Sequence, residues 1–357
     1  MTFISTAGQS LEQTERIKLV QSQLSTLQYQ LSSGKKTRLF KGLETGVITS
    51  ERARADFKSI ETYIGNITIA DRRIKLMDST IATVQQQAEN VLNALEIQTQ
   101  SGEFELGTIG DLAANSFDFI LSLMNEQDGD RYLFGGAGTR DQPVRDTGSL
   151  DSYLATRINQ WVTTGIDTDE LVDSYRDTAQ LNDTVVGYSA VLSSGKSKSI
   201  FVRVDEKTEL DYTVKANESG FRDILVAIGA IKNLTQSLDE VTREADDPAA
   251  TVTAPGATKQ EQNENFYQVF NDLARMLTTG IDSLVNERFS LSQVQAQMNQ
   301  IQENYKIEKN VLSGIISDVE DVDLNETAVK LNSLQIQLEA SFRVTASLSD
   351  LSLVNFI

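Results

Sequence analysis

Neither cysteine nor histidine occurs anywhere in the 357 residues. Without cysteine there are no disulfides and no thiolate metal sites. Without histidine the chain has no side chain that titrates near neutrality and lacks the commonest metal ligand. Ser-His-Asp, Cys-His and His-based zinc chemistry therefore cannot be built within it, and only carboxylate, lysine, tyrosine or serine chemistry stays open. Proline is scarce, at 3 residues, and aromatics make up 7%, a balance that suits long helices better than an aromatic-rich enzyme core. Positive charge is also short, with 32 Lys and Arg against 51 Asp and Glu, a net charge of −19. Such a surface repels a phosphate backbone, so no nucleic-acid partner is expected. The densest basic stretch, Lys35-Lys36-Thr37-Arg38 and then Lys41, reads as a solvated loop.

Long apolar runs are missing too. The longest, Ile224 to Ile231, falls far below the ~20 residues that span a bilayer, so no membrane partner is expected. The segment Met1–Gly8 has no basic region followed by an apolar core, and no cleaved Sec signal is expected from it. A soluble protein follows, secreted, if at all, by a route that needs no such signal.

What is present is periodicity. From about residue 6 to 31, Ile17, Val20, Leu24, Leu27 and Leu31 recur at three- and four-residue steps, with Thr6 and Gln9 placed as a capping box and Gly34 as a left-handed stop. A loop then leads to Ser50, a candidate N-cap for a helix over about 51–101, a rod of roughly 75 Å. Its stripe is Ile60, Ile64, Ile67, Ile74, Met77, Ile81, Val84, Ala88, Val91 and Leu95, and 60, 67, 74, 81, 88 and 95 repeat by sevens. Gly102, Gly107 and Gly110 interrupt it. A helix over about 111–127 follows, with Leu112, Phe119, Ile120, Leu123 and Met124 inward.

The C-terminal third mirrors this. A helix over about 262–319 carries Leu291, Val294, Met298, Ile301, Tyr305, Leu312, Ile315 and Val319, again on a seven-residue repeat. Asp323 and Glu326 form a candidate capping box for a last helix bearing Leu324, Leu331, Leu334, Leu338, Thr345 and Leu348. Heptads sustained this far argue for coiled-coil packing.

The middle differs. All three prolines, Pro143, Pro248 and Pro255, lie between 140 and 260. Ile200, Val202 and Val204, then Leu210, Tyr212 and Val214, alternate around Glu206-Lys207 as a β-hairpin with one buried face. An amphipathic helix over about 221–244 uses Ile224, Ile228, Ile231, Leu234, Leu238 and Val241, and Pro248 to Asn265 reads as a polar linker.

The fold expected is mainly α, with an α+β domain inserted between two helical halves.

Chemical motifs are weak. Ala190 to Ser197 (AVLSSGKS) nearly matches a phosphate-binding loop, but a strand follows it where a helix is required, so a surface turn is the reading. Phe134-Gly135-Gly136-Ala137-Gly138 lacks dinucleotide spacing. Asp128-Gly129-Asp130 starts like a calcium loop but has Tyr132 and Leu133 where a ligand and a glycine belong. Glu320-Asp321 and Asp246-Asp247 read as solvated loops rather than facing carboxylates across a cleft. Trp161 and Tyr153 could form a glycan-binding platform in the middle domain, against the plainer reading of a small core. No catalytic residue, metal or cofactor is expected.

The terminal stripes cannot all be satisfied by one rod in the same chain, and Leu353, Val354, Phe356 and Ile357 leave an apolar tip. Leu24, Leu27 and Leu31 with Leu331, Leu334, Leu338, Leu348, Leu353 and Phe356 are therefore the candidate assembly interface.

Helical ends around a β-containing middle resemble the flagellin family. Leu31-Ser32-Ser33-Gly34 is similar to the LSSG after that family's first helix, and Ile316 to Asp323 to the acidic stretch before its last. Gln335 to Leu338 and the apolar terminus fit as well. The resemblance covers about 1–140 and 262–357. Gly129 to Gly136, followed by Thr139, resembles the signature of the family's hook–filament junction members, with Gly135 where serine is common and Val144 where an aromatic is usual. On that resemblance Tyr132, Leu133, Phe134, Gly135 and Gly136 form a junction motif. It implies N- and C-terminal helices paired in an antiparallel, coiled-coil bundle, with residues 1–35 and 320–357 as the terminal coiled-coil domain, 36–140 and 262–319 as a helical rod, and 141–261 as the inserted outer domain. It implies export through the flagellar type III apparatus with a cytoplasmic chaperone. It also implies an extracellular place at the hook–filament junction, with partners in its own copies, hook-associated protein 1 and flagellin, and terminal helices that order only on assembly. A filament-forming flagellin and a glycan-binding surface homologue are the alternatives.

Overall fold

The computed structural model describes residues 6–101, 105–163, 166–234 and 258–354. The chain is mainly α, with long helices at both ends and, among the described residues, two short two-stranded sheets. Packing divides it into two units, Met1–Thr62 with Glu303–Ile357, and Tyr63–Gln302.

In the first unit α1 spans Thr6–Ser33, a 3₁₀ turn Phe40–Leu43, and α2 starts at Gly46 on its way to Ser101. Helix α1 ends where Gly34 turns left-handed (φ +69°), as its sequence suggests. The last helix of the chain, α10 (Leu324–Val354), packs along α1. The two run antiparallel: Gly34 at the α1 end accepts from the Val322 amide in the segment that leads into α10, while Thr345 donates to Gln13 Oε1 at 3.3 Å near the other end. Only half of the Asp323–Glu326 capping box forms. Asp323 Oδ1 accepts from the amides of Asn325 (2.8 Å) and Glu326 (3.1 Å), while the Glu326 carboxylate pairs with Lys330 one turn on. The side chains of Thr6 and Gln9 lie outside those described.

Two expectations fail here. Helix α2 begins at Gly46, so Ser50 sits within it instead of capping it. The stretch read as a linker is helical from Lys259, the start of α9 (Lys259–Glu320). A capping box opens that helix: Thr258 Oγ accepts from the Glu261 amide at 3.2 Å, and Glu261 Oε2 accepts from the Thr258 amide at 3.3 Å.

The second unit holds most of α2 and α9 with α3 (Leu106–Met124), α4 (Gly148–Thr163), α5 (Thr168–Ser174), α6 (Asp183–Val186), α7 (Ala190–Ser193) and α8 (Ser219–Asn233). On α2 the residues at 67, 74, 81, 88 and 95 are buried, together with Met77, Val84 and Val91, as the heptad predicts. On α9 Leu291 and Met298 are buried in this unit, and Leu312 is buried in the first. Each such Ile, Leu or Met side chain withdrawn from water stabilises by about 1.5–3 kcal/mol. On α3 Ile120 and Met124 are buried as expected and Leu112 and Leu123 are half-buried, but Phe119 is exposed and the inward face also takes in Ile109, Ala113, Ser116 and Phe117. Gly107 and Gly110 lie inside α3 rather than before it.

Helix α8 is buried over most of its surface and packs on α3 and α4. It crosses α9 at two glycines. A Cβ on Gly220 would come within 3.0 Å of the Gly280 carbonyl, and one on Gly280 within 2.8 Å of Ile224. Of the residues expected on this helix, Leu238 and Val241 lie outside the described ones, as do Asp246 and Asp247. The expected hairpin is present but short. Strand β3 (Phe201–Arg203) pairs antiparallel with β4 (Glu209–Asp211), Val202 opposite Leu210. Asp205 closes its turn by accepting from the Lys207 and Thr208 amides.

Candidate assembly surface

Helices α1 and α10 each carry two apolar rows. The inner row is the predicted stripe without Leu31 and Leu324 and with Thr327 added. Val20 and Thr327 are buried, and Ile17, Leu24, Leu27, Leu331, Leu334, Leu338 and Thr345 are half-buried. The residues singled out as assembly contacts therefore divide. Leu24, Leu27, Leu331, Leu334 and Leu338 are partly covered within the chain, whereas Leu31 stays 41% exposed and Leu324, expected inside, is 50% exposed. The outer row was not singled out from sequence. It comprises Leu11 and Leu19 on α1 with Val329, Ile336 and Val344 on α10, each more than half exposed (Ile336 at 62%). The seven-residue step from Val329 to Ile336 was the signal that could have found it. The side chains of Leu348 and Leu353, and Phe356, lie outside the described residues. A shallow groove runs between the helices, lined by Ser22, Thr26, Leu27, Lys330 and Leu334.

A charged joint holds the base of this pair. The Lys35-Lys36 and Glu320-Asp321 segments, both expected to be solvated loops, are instead partners. Lys35 and Asp321 form an antiparallel bridge, the Lys36 amide donates to the Glu320 carbonyl at 2.7 Å, and the Val322 amide to the Gly34 carbonyl at 3.0 Å. Lys36 Nζ donates to the carbonyls of Asp318 and Val319, two otherwise unpaired groups at the end of α9. The Glu320 carboxylate is buried. It accepts from Arg54 Nε (2.8 Å) and Nη2 (2.5 Å), from the Ser50 hydroxyl and from Lys35 Nζ at 3.3 Å. Its pKa is lowered to about 2, first by the hydrogen bond from Arg54, against desolvation, and then by those from Ser50 and Lys35. The neighbouring Asp321 is also lowered, chiefly by Lys35 and by the Ser317 hydroxyl.

The segment from Gly129 to Thr139 lies in the second unit. Strands β1 (Gln127–Asp128) and β2 (Arg131–Tyr132) form a tight hairpin around left-handed Gly129. Leu133, Phe134, Gly135 and Gly136 are buried and Tyr132 is half-buried. Phe134 meets Phe221 of α8 edge-on at 5.2 Å. The Phe134 carbonyl accepts from the Ala216 amide, the Gly135 carbonyl from the Ser197 hydroxyl at 3.0 Å, and Lys198 O from the Ala137 amide. Left-handed Gly136 leaves no room for a Cβ, which would lie 2.2 Å from Ser197 Oγ. Ser197, last residue of the phosphate-loop look-alike, is thus spent on this contact, and Gly195 before it takes a left-handed turn.

Trp161 does not form a platform. It is fully buried and donates to Thr168 Oγ at 3.2 Å, while the Tyr153 hydroxyl donates to the Ser174 carbonyl. Among the described residues no cluster of acidic side chains is arranged to hold a metal ion, and no helix is long and apolar enough to cross a membrane.

Residues 275–357 match the family model for the bacterial flagellin C-terminal helical region. No curated protein matches the chain in sequence. Among solved structures, the chain is similar to a protein from Vibrio parahaemolyticus assigned as flagellar hook-associated. That similarity has 12% identity and a TM-score of 0.42, over 76% of this chain and 97% of the other. The stretch that matches the flagellin model runs from residue 275 of α9 through the whole of α10, the helix that pairs with α1.

Proposed function

We propose that this protein is a structural subunit of the bacterial flagellum, and specifically a junction adaptor of the hook-associated protein 3 type. It would link hook-associated protein 1 on the hook side to the first flagellin subunits. The observation that carries the reading is the outer apolar row of α10, Val329, Ile336 and Val344, exposed on a helix that lies within the flagellin-matching region. A row of this kind on a paired helix is what copies in a helical assembly cover for one another. The Gly129–Thr139 segment supports the junction role by its resemblance in sequence. The burial of Leu133, Phe134, Gly135 and Gly136 makes that part of it an internal support rather than a docking surface.

The same flagellin match favours a second reading, in which the chain polymerises into the filament. Purified protein offered to isolated hooks separates the two. A junction adaptor adds a short terminal layer and stops, and flagellin then grows from it. A filament subunit extends without limit. No binding to hooks or filaments would overturn both.

A further inference from the structure

We propose that the crossing of α8 and α9 in the second unit is an acid-tightened joint: Glu287 and Asp223 oppose it while ionised, and taking up a proton removes that opposition. Glycine sets the geometry. A Cβ on Gly280 would lie 3.0 Å from the Gly220 carbonyl and 3.3 Å from the Asp223 Cβ, so the two helices approach to main-chain contact and carry Asp223 in with them. Gly220 meets the Leu284 side chain as closely, which brings Glu287, three residues further along α9, toward Glu218, two residues before Gly220. All three acidic residues are half-buried.

Nothing at the crossing compensates the charge. Among the described residues no hydrogen bond or ion pair reaches the carboxylate of Glu287 or Asp223. Glu218 stands at the N-cap of α8, yet its side chain caps no amide. The adjacent cations are committed elsewhere. Arg288 holds Asp78 and Gln85, and Arg222 holds Asp183 and the Leu181 carbonyl. A carboxylate in that position loses hydration with no partner to offset the loss. Helix α8 comes from the middle of the sequence and α9 from its C-terminal third, so the joint sets how firmly the middle segment is held on the long helix.

The groups facing the two carboxylates fix the sign. Burial raises the pKa of Glu287, and the charge of Glu218 raises it further. Burial also raises Asp223, against the smaller opposing effects of Arg222 and Arg176. Tyr188 faces Asp223 and Glu218 too, but burial raises its hydroxyl and it stays neutral in acid. A carboxyl group raised on folding weakens the fold at every pH above its folded value. The penalty fades as pH falls through that value and is gone below the ordinary 4.5 for Glu287 and 3.8 for Asp223.

Urea unfolding of the full chain tests this, followed by Trp161, which is buried in the second unit, from neutrality down to about pH 3.5. At neutral pH Glu287→Gln and Asp223→Asn should each raise the folding equilibrium constant of that unit, by about threefold or more. Both gains should shrink as the pH falls and be nearly lost at the acid end. Asp282→Asn, an exposed acid on the same helix, controls for the lower net charge and should change little. The proposal is overturned if either variant gains nothing at neutral pH, if a gain persists undiminished into acid, or if Asp282→Asn matches it.

Discussion

Arg73, buried on α2, donates from Nη2 to the main-chain carbonyl of Leu133 at 3.2 Å. The same nitrogen reaches the Tyr132 carbonyl. A long helix thereby holds the backbone of the Gly129–Thr139 segment, and burial lowers the Arg73 pKa below its ordinary value. Charge-assisted bonds of this kind make the segment part of the core of its unit rather than a loop laid over it.

Arg73→Met should therefore cost the second unit about 2–3 kcal/mol, because two carbonyls lose a charged donor. Arg73→Lys should recover part of that. Urea unfolding followed by Trp161 fluorescence reads this unit alone, since the chain has a single tryptophan and it is fully buried there.

Two glycines of the same segment should separate strain from space. Both are left-handed, Gly129 at φ +68° and Gly136 at φ +59°. A Cβ on Gly129 meets nothing within 4 Å, so Gly129→Ala should cost only the conformational term, about 1–2 kcal/mol. Gly136→Ala adds a collision with Ser197 Oγ and the Lys198 carbonyl, and should cost clearly more, about 3 kcal/mol or beyond. Equal costs in urea titrations would contradict the close packing described for Gly136.

The two apolar rows of α10 predict different failures. Leu338→Asp puts a charge into the half-buried inner row and should undo the α1–α10 pair in the free chain, exposing both ends to protease while the second unit stays folded. Ile336→Asp alters a side chain that is 62% exposed, so the free chain should resist protease as before yet fail to add to hooks. Normal assembly of Ile336→Asp would remove the outer row from the interface.

Much of this architecture was legible because periodicity is a local signal. The α2 stripe from Ile60 to Leu95 and the α9 stripe from Leu291 to Val319 could be read one residue at a time, and those residues are buried or half-buried. The face of α3 was harder. Phe117 and Phe119 compete for the inward position, and Gly229, where a Cβ would touch Phe117, settles it from another helix. The joint was invisible for a different reason. Lys35 and Glu320 each look like part of a solvated charge cluster, and they pair across a sequence separation of 285. Arg73 likewise carried no sign of its role, because its acceptors are main-chain atoms. Periodicity marks which residues of a helix form an apolar row but not which rows lack a cover, so the step from Val329 to Ile336 carries the row and says nothing of its exposure.

The central claim, that this chain is a flagellar subunit seated at the hook–filament junction, is tested most directly by immuno-electron microscopy of intact flagella with antibody to the second unit. The account predicts label confined to a narrow band at the distal end of the hook. Label along the whole filament would make the chain a flagellin, and flagella free of label would contradict a flagellar role.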